Sequence, residues 1–586
     1  MRFRNYLYAS KPLAALVLVS WLTACNLSSG QHPKARKANG PVKYGGVFHV
    51  NETEYFRSLF PQNVTETVGH RITNQLYEGL VVLSQADLSL HPNLATHWEV
   101  EDSARLFVFH LRKGVFFHND PCFKNGKGRE MNASDVVYCF EKLCTPDASN
   151  QGFWLFKDLV EGASEFYAQH EAGNAQMQHV PGIQQINDST VSIRLVRPFA
   201  GFLFRLAMPF TAIFPKEAVT FYGMDLREHA VGTGPFCIRK IMPDAGVFLV
   251  RNENYWGADS FGNKLPYLDA IRWSFIKEEK VEMLEFKKGN LEMKYRLPLD
   301  MVTQVVQNGQ LQGEYRKFQL QTVPELSTQY YGLLHTGKLF SNVHLRRAIN
   351  FAIDREKIVR YTLKGEGVAV KAGIVPEGMP GYNYANVHGF TFDPAQAQKE
   401  LALAGYKDGK DFPALTLHIN SGGGRNEKVA EAITSMLKEN LNINVDISQS
   451  LWAQHTENSE MGRFDFWRLG WVADYPDPEN FLNLCYGKNV PADGERAYIN
   501  SFRYRNPVYD ALFEKAMATS DFEARNRLYE QLTQMTIDDA VTLNIFYSLN
   551  RRLLQPYVRN FPANGMEQRL FREVWLDKSG EMKVER

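Results

Sequence analysis

The sequence predicts a mixed α/β protein with two lobes of comparable size and a cleft between them. Short strand-like segments alternate with helical segments in both halves of the chain, a pattern typical of α/β architectures. The length of 586 residues is enough for about two to four domains. The sequence contains no tandem repeats or low-complexity tracts. A cleft between two such lobes is a common ligand site.

The first half of the chain contains four predicted strands and three predicted helices. Asn132-Ala-Ser-Asp135 has the composition of a helix start, with Asn132 or Ser134 as the N-cap. One of the strands alternates apolar and polar side chains, as a half-buried strand does. The predicted strands are residues 46–50, 106–111, 191–196 (the alternating one) and 271–276, and the predicted helices are residues 68–80, 132–144 and 281–289.

The second half of the chain has the same alternation. Helical periodicity is found in residues 345–364 and 429–440, and strand-like patterns in residues 415–419 and 445–448. We therefore expect a second α/β lobe there, comparable in size with the first.

The composition excludes several classes of protein. Lys and Arg number 66 against 65 Asp and Glu, so the formal charge is +1, and no nucleic-acid partner is expected. The apolar fraction of 44% and the mean hydropathy of −0.34 are ordinary for a globular protein. They exclude a disordered chain and a multi-span membrane protein.

The N-terminus has the pattern of an export signal. The positive residues Arg2, Arg4 and Lys11 precede the apolar run at residues 13–22, which is too short to span a bilayer comfortably. Residues 22–25 (LTAC) resemble the lipobox of bacterial lipoproteins, in which the Cys is lipidated and the signal is cut before it. An ordinary secretory signal with a chance Cys is the alternative.

This resemblance divides the N-terminus into two segments. Residues 1–24 would be the signal peptide, and residues 25–44 the lipidated Cys25 and a flexible polar tether. The mature protein would then be held at a membrane surface by several acyl chains. No other apolar run approaches about 18 residues, so we expect the rest of the chain to lie outside the bilayer.

Five cysteines remain after Cys25, so at least one is unpaired within a monomer. Cys139 and Cys144 lie five residues apart on a predicted helix, too far apart for an unstrained disulfide. We expect buried free thiols, and a bridge from Cys122 is the alternative.

The sequence lacks three common catalytic and nucleotide-binding motifs. H-E-x-x-H, G-x-S-x-G and G-x-x-x-x-G-K-[ST] do not occur, and Gly232-Thr-Gly234 is followed by Pro235, which excludes a dinucleotide fingerprint. The 15 histidines form no constellation in the sequence. We therefore expect no enzymatic activity, no cofactor and no metal site.

Eight segments, in order along nearly the whole mature chain, carry a specific family resemblance. They resemble the family 5 extracellular solute-binding proteins of ABC importers, the oligopeptide- and dipeptide-binding group. The segments are residues 76–80 (LYEGL) with 92–99 (PNLATHWE), 109–118 (FHLRKGVFFH), 133–137 (ASDVV), 232–236 (GTGPF) with 251–256 (RNENYW), 345–354 (LRRAINFAID) and 470–481 (GWVADYPDPENF).

The resemblance implies a class C (type II) periplasmic-binding fold, with two α/β lobes on a hinge and an extra subdomain inserted in the first lobe. The chain departs from the family pattern at residues 119–129, where a short turn is replaced by a longer Gly/Lys-rich loop. By analogy, the first lobe would comprise residues 45–80, 231–324 and 540–586, the inserted subdomain residues 81–230, and the second lobe residues 325–539.

The resemblance also implies ligand-binding residues. Asp474 takes the position of the Asp that receives a peptide's α-ammonium, and Arg468 that of an Arg that meets the peptide's carboxylate in some members. In an extended strand these two residues would point to the same face and border one cleft. A loop cap is the alternative for Asp474, and a structural ion pair for Arg468. Trp471 and Tyr475 could shape the pocket or pack in the core.

The function implied is that of a lipid-anchored, monomeric receptor that captures a short peptide by hinge closure. It would deliver the peptide to a membrane permease driven by a separate ATPase. Two alternatives remain open: a non-peptide solute such as a nickel complex, haem, glutathione or an oligosaccharide, and a surface lipoprotein for signalling or adhesion without transport.

Overall fold

A computed structural model describes residues 36–580, except residues 65, 148, 299, 422–423, 493 and 498. The predicted signal peptide, Cys25 and the first part of the tether lie outside the described residues. The helices that are described include none long and apolar enough to cross a membrane.

The described residues form 21 strands in six sheets. In chain order the strands are β1 Val47–Asn51, β2 Val81–Leu83, β3 Leu90–Pro92, β4 Ala95–Glu101, β5 Leu106–Leu111, β6 Ile183–Asn187, β7 Thr190–Arg194, β8 Phe236–Met242, β9 Gly246–Arg251, β10 Ala270–Ser274, β11 Met293–Tyr295, β12 Val306–Gln307, β13 Gln310–Leu311, β14 Gln319–Leu333, β15 Val368–Ala369, β16 Leu415–Asn420, β17 Val445–Ser450, β18 Phe466–Val472, β19 Thr542–Leu554, β20 Val558–Arg559 and β21 Trp575–Leu576.

Fifteen α-helices lie between these strands in the described part of the chain. In chain order they are α1 Thr67–Leu76, α2 Ala133–Leu143, α3 Ala163–Glu171, α4 Phe202–Arg205, α5 Lys216–Tyr222, α6 Glu279–Lys287, α7 Val302–Val305, α8 Val343–Ala352, α9 Arg355–Lys357, α10 Pro394–Leu403, α11 Gly424–Leu441, α12 Trp452–Glu460, α13 Glu479–Leu482, α14 Pro507–Ala518 and α15 Phe522–Asp538. The mixed α/β class predicted from the sequence is confirmed.

Three sheets organise the molecule. One has the strand order β1-β10-β9-β8, and a second, with the order β4-β5-β7-β6, is formed by segments between residues 95 and 194. The third has seven strands in the order β11-β19-β14-β18-β16-β17, with β15 added against β19. In the third sheet β16 pairs in parallel with β17 and β18, and α11 connects β16 to β17 as a crossover helix.

The two long antiparallel strands β14 and β19 run through the largest sheet and join its two ends. Their pairing is regular from Gln319 to Pro324, shifts register before Thr328, and shifts again after Gln329. A register shift bends and twists a strand pair locally. The first break lies between Pro324 and Thr328.

Several predicted elements differ from the observed ones in their ends. Asn132 caps α2, accepting a hydrogen bond from the Ser134 N–H at 2.9 Å. Of the two N-cap candidates, Asn132 and Ser134, Asn132 is therefore the observed one. The helix predicted over residues 68–80 ends at Leu76, because the turn at Gly232 and Gly234 packs on its last carbonyl. The Gly234 N–H donates to the Leu76 carbonyl at 3.0 Å, and a Cβ at either glycine would collide with the Leu76 backbone.

The helix predicted over residues 345–364 is broken. Ile353 has extended backbone angles, and Asp354 starts a new short helix by accepting a hydrogen bond from the Lys357 N–H at 2.9 Å. Arg346 and Arg347 donate to backbone carbonyls at the end of α15, including those of Asp538 and Asp539. They therefore tie two helices together.

The five described cysteines are all unbridged. Cys139, Cys144 and Cys485 are buried, as expected for free thiols, whereas Cys122 and Cys237 are half-buried. Burial raises the pKa of Cys237 to about 12, and burial together with a hydrogen bond to Asp120 raises the pKa of Cys122 to about 12. These thiols are therefore neutral and unreactive at neutral pH.

Candidate functional site

Two adjoining cavities lie where α1, the end of β18 and the segment 565–568 meet. The first, which we call the acidic cavity, has a volume of about 290 Å³, and the second, the Asp474 cavity, about 200 Å³. The residues that line both are Thr67, Arg71, Val472, Met566 and Glu567. The two cavities adjoin across these residues, and together we call them the cleft.

One face of α1 forms a wall of the cleft. Thr67, His70, Arg71 and Asn74 all line the Asp474 cavity. Their spacing of three and four residues places them on the same side of the helix. The opposite wall is the chain that leaves β18, so the cleft lies between the large sheet and α1.

Asp474 lines the cleft, and its carboxylate forms no ion pair within 4.0 Å among the described residues. It is half-buried, and its carboxylate accepts one hydrogen bond, from Asn480 Nδ2 at 3.1 Å. Burial raises the pKa of Asp474, while the hydrogen bond from Asn480 and the charge of Arg205 oppose the rise. A desolvated carboxylate with spare acceptor capacity favours a cationic partner. The loop-cap alternative is not what is observed, since Asp474 accepts no backbone N–H of the turn that follows.

Asn480 holds this region together, and the sequence did not single it out. Its Oδ1 accepts hydrogen bonds from the Trp471 indole N–H at 2.8 Å and from the Asp474 backbone N–H at 3.1 Å. Its Nδ2 donates to the Asp474 carboxylate. One buried amide therefore fixes the position of both the backbone and the side chain of Asp474. The one feature of the sequence that could have indicated Asn480 is its position within the family segment 470–481.

Trp471 and Tyr475 do not line either cavity. Trp471 is half-buried and packs against the main core. Tyr475 is 2% exposed, and its hydroxyl donates to Glu479. Tyr475 is thus a core residue, and Trp471 contacts Asn480, which in turn contacts Asp474.

Arg468 lies on β18 with amide oxygens as partners. It donates to Asn420 Oδ1 at 3.0 Å and to Gln329 Oε1. Among the described residues no carboxylate lies within 4.0 Å of its guanidinium, so the alternative of a structural ion pair is wrong. Burial lowers the pKa of Arg468, and the nearby charge of Arg425 adds to this. The side chain remains a cation without a neutralising partner.

The expectation that Arg468 and Asp474 share one strand face is wrong. β18 ends at Val472, so the alternation of side chains does not reach Asp474. Arg468 lines neither of the two cavities. The two charges therefore belong to different parts of the cleft region.

Arg425, at the start of α11, links Arg468 to the acidic cavity. Burial lowers its pKa, Arg296 lowers it further, and Glu366, Glu325 and Glu279 oppose the shift. Arg296, Glu325 and Glu279 line the acidic cavity. No ion pair within 4.0 Å joins Arg425 to a carboxylate of the described chain. No pattern in the sequence indicates this residue, because only the fold brings the start of α11 near these charged groups.

A closed network of buried charges forms the floor shared by the two cavities. Glu567 contacts Arg569 at 2.7 Å, Arg552 at 3.2 Å and Arg71 at 3.7 Å. Glu52 binds Arg71 at 2.8 Å and Arg569 at 2.5 Å. Burial raises the pKa of Glu567, but the three arginines outweigh it, and the pKa falls to about 2.

The profile of bacterial extracellular solute-binding proteins, family 5 Middle, matches residues 89–493. The chain belongs to this family. It is therefore a bacterial extracellular solute-binding protein and not an enzyme.

Three comparisons place this chain among its relatives. It is 26% identical to the dipeptide-binding protein of Escherichia coli over 86% of this chain and 89% of the relative. It is 25% identical to heme-binding protein A of Haemophilus influenzae over 97% of this chain and 99% of that relative. The structure of the ABC transporter-associated periplasmic binding protein DppA from Helicobacter pylori, in complex with peptide STSA, superposes with a TM-score of 0.74 at 24% identity, covering 92% of this chain and 99% of that one. The two-lobed fold predicted from the sequence is thereby confirmed.

Proposed function

We propose that this protein is the peptide-capturing receptor of an ABC importer. The observation that carries the proposal is the half-buried, incompletely neutralised carboxylate of Asp474 in the cleft. A peptide's α-ammonium supplies the missing charge and fills the spare acceptor positions. Relatives named for binding dipeptides and oligopeptides support the same ligand class.

The other end of the ligand would be met by cations. Arg425 and Arg468 form no ion pair within 4.0 Å with a carboxylate of the described chain, and Arg425 interacts with groups of the acidic cavity. A zwitterionic peptide running from Asp474 across the acidic cavity would end near this charge. Glu54 and Glu279, the two exposed glutamates that line that cavity, would also favour a basic side chain on the way.

Closure of the lobes would couple binding to transport. The ligand would touch α1 on one side and the Asp474 segment on the other, so it would favour the closed form by its contacts with both. The closed form would be recognised by a permease with its ATPase. Cys25, once lipidated, would keep the receptor at the membrane surface.

We also propose the domain limits given by the family resemblance, with one adjustment. The first register break between β14 and β19 faces Ser548, between the pairs Pro324 with Leu549 and Thr328 with Tyr547. Residues 542–547 therefore pair with the part of β14 that adjoins β18. This pairing favours a last boundary at Ser548 rather than between residues 539 and 540.

Calorimetry on residues 26–586 tests the proposal. The protein is first unfolded and refolded to remove retained ligand, then titrated with a mixed tripeptide and with its N-acetylated form. We expect the free amine to bind and the acetylated peptide to bind far more weakly. Asp474→Asn should weaken binding of the free amine about 10- to 100-fold, because a hydrogen bond to a charged group contributes about 1.5–3 kcal/mol.

Asp446→Asn is the matched control, because Asp446 is an exposed carboxylate on β17 of the same sheet. It should bind the tripeptide as the wild type does. Equal binding of the free and acetylated peptides would remove Asp474 from the ammonium site. Binding of neither would contradict the peptide receptor altogether.

A second ligand class is favoured by one comparison. Heme-binding protein A of Haemophilus influenzae aligns over 97% of this chain. Titration with haemin, followed by its visible absorption, tests this alternative on the same protein. Saturable haemin binding that excludes the tripeptide would replace the peptide proposal.

A further inference from the structure

A metal-ligand cluster lies outside the cleft, on the exposed face of the β4–β5 hairpin. It consists of His97, Glu99 and His110, which offer one ligand atom each, all within 4.8 Å of one another. It is the one group of three such side chains found in the described part of the chain. The sequence alone does not show it, because the two histidines are 13 residues apart.

The strand register explains why these three side chains meet. His97 pairs directly with His110 across the hairpin, and Glu99 lies two residues further on the same face of β4. The imidazole rings are stacked, with centroids 4.3 Å apart and planes inclined by 9°. Glu99 Oε1 lies 3.1 Å from His110 Nε2.

A β-bulge at Thr96 sets the orientation of the pair. Ala95 pairs with Leu111 and His97 with His110, so Thr96 is the extra residue on β4. Its hydroxyl donates to the His110 carbonyl at 3.1 Å and lies 3.0 Å from His97 Nδ1. Bulges often re-aim a side chain, and a fixed Nδ1 leaves Nε2 of His97 for a ligand.

The three side chains are open to solvent. The exposed fraction is 53% for Glu99 and 32% for His110, and His97 is also exposed. An ion can therefore reach them, and small side-chain rotations can bring the three ligand atoms to zinc-bond distances of about 2.0–2.2 Å.

We propose that His97, Glu99 and His110 bind a divalent transition-metal ion of the zinc class at the surface of the protein. Two imidazoles and a carboxylate form a ligand set that suits Zn²⁺, with one position left for water. Thr96 is the outer partner that orients His97, as is usual for metal-binding histidines. The site is independent of the peptide proposal, since none of these residues lines the cleft.

The test is calorimetry of metal-stripped residues 26–586 with ZnCl₂, and with MgCl₂ as the hard-ion control. We expect one Zn²⁺ per chain and no Mg²⁺ binding at this site. His97→Ala and His110→Ala should each abolish that binding event. Thr96→Val should weaken it about 10-fold, because loss of an outer-shell partner usually costs about 10- to 100-fold.

His388→Ala is the matched control, because His388 is an exposed histidine outside the cluster. It should leave the Zn²⁺ isotherm unchanged, and Co²⁺ absorption should appear in the wild type and in this variant but not in His97→Ala or His110→Ala. Melting temperatures verify that each variant is folded. Unchanged Zn²⁺ binding in His97→Ala and His110→Ala, or none in the wild type, would overturn the proposal. Neither result would bear on tripeptide binding.

Discussion

Buried charges are treated differently in two neighbouring regions of this molecule. Around Glu567, three arginines and a second glutamate neutralise one another at 2.5–3.7 Å. At Asp474, a single amide contacts the carboxylate, and Arg468 has only amide oxygens as partners. The first arrangement needs nothing further, whereas the second leaves charge that a ligand can satisfy. The degree of charge compensation therefore distinguishes residues that stabilise the fold from residues that are available to bind a ligand.

The largest expected effect is on the closed network. Glu567→Gln removes the charge shared by Arg71, Arg552 and Arg569, and so leaves buried cations without full compensation. Removing one partner of a buried ion pair costs about 3–5 kcal/mol, and we expect a loss of that size. Urea unfolding followed by tryptophan fluorescence measures it.

Glu573→Gln is the control for this substitution. Glu573 is half exposed and forms a surface pair with Arg572 at 3.4 Å. Its replacement should change stability by no more than about 0.5 kcal/mol. If both variants unfolded at the same urea concentration, the Glu567 network would not be a stabilising element.

The same network predicts a pH dependence. The pKa of Glu567 is about 2 in the folded protein, below its ordinary value of 4.5. The unfolded chain therefore takes up this proton first as the pH falls. Stability from Glu567 is complete above pH 4.5 and is lost progressively toward pH 2. Across this pH range the contribution of Glu567 to the free energy of unfolding falls by about 3 kcal/mol.

Urea midpoints measured from pH 7 down to pH 3 test this sign. The wild type should lose stability more steeply below pH 4.5 than Glu567→Gln, which has no carboxylate to protonate. Parallel curves for the two proteins would show that the carboxylate does not titrate as its contacts require.

A smaller effect is expected at the amide that supports Asp474. Asn480→Ala removes the hydrogen bonds to Trp471 and to the Asp474 backbone and carboxylate. Freed from this contact, Asp474 should bind the tripeptide about 10-fold more weakly, which corresponds to about 1.4 kcal/mol.

A double-mutant cycle distinguishes positioning from general damage. In the Asp474→Asn background, Asn480→Ala should weaken binding little further, because the group that it positions is already neutral. Additive losses would mean that Asn480 acts on the cleft by another route.

The sequence predicted local features well and the charge networks poorly. The strand around Val47–Asn51 and the cap at Asn132 follow from short-range patterns of hydrophobicity and hydrogen bonding. Asp474 was located through its segment, but its support by Asn480 depends on a turn through two prolines, where neither strand nor helix periodicity applies. Arg425 lies on α11, which begins more than 40 residues before the β18 strand that carries Arg468. The Glu567 network joins residues from both ends of the chain, so no spacing in the sequence could indicate it.

The smallest expected effect is a gain in stability in Asp474→Asn, opposite in sign to the loss expected in Glu567→Gln. The raised pKa of Asp474 means that burial disfavours its charged form, so at neutral pH the carboxylate costs the ligand-free protein stability. Asp474→Asn keeps an oxygen to accept the Asn480 hydrogen bond and removes that charge. The ligand-free variant should therefore melt at a slightly higher temperature than the wild type, although it binds the peptide more weakly.

Asp477 provides the matched comparison three residues away. Its carboxylate is buried, forms an ion pair with Arg525 at 3.2 Å and accepts the Glu479 N–H at 2.9 Å. Asp477→Asn should therefore lower the melting temperature, while Asp474→Asn raises it. Opposite shifts would identify Asp474 as a charge kept for a ligand at the expense of stability. A lower melting temperature in both variants would instead make Asp474 a structural residue, because its charge would then be compensated within the folded chain.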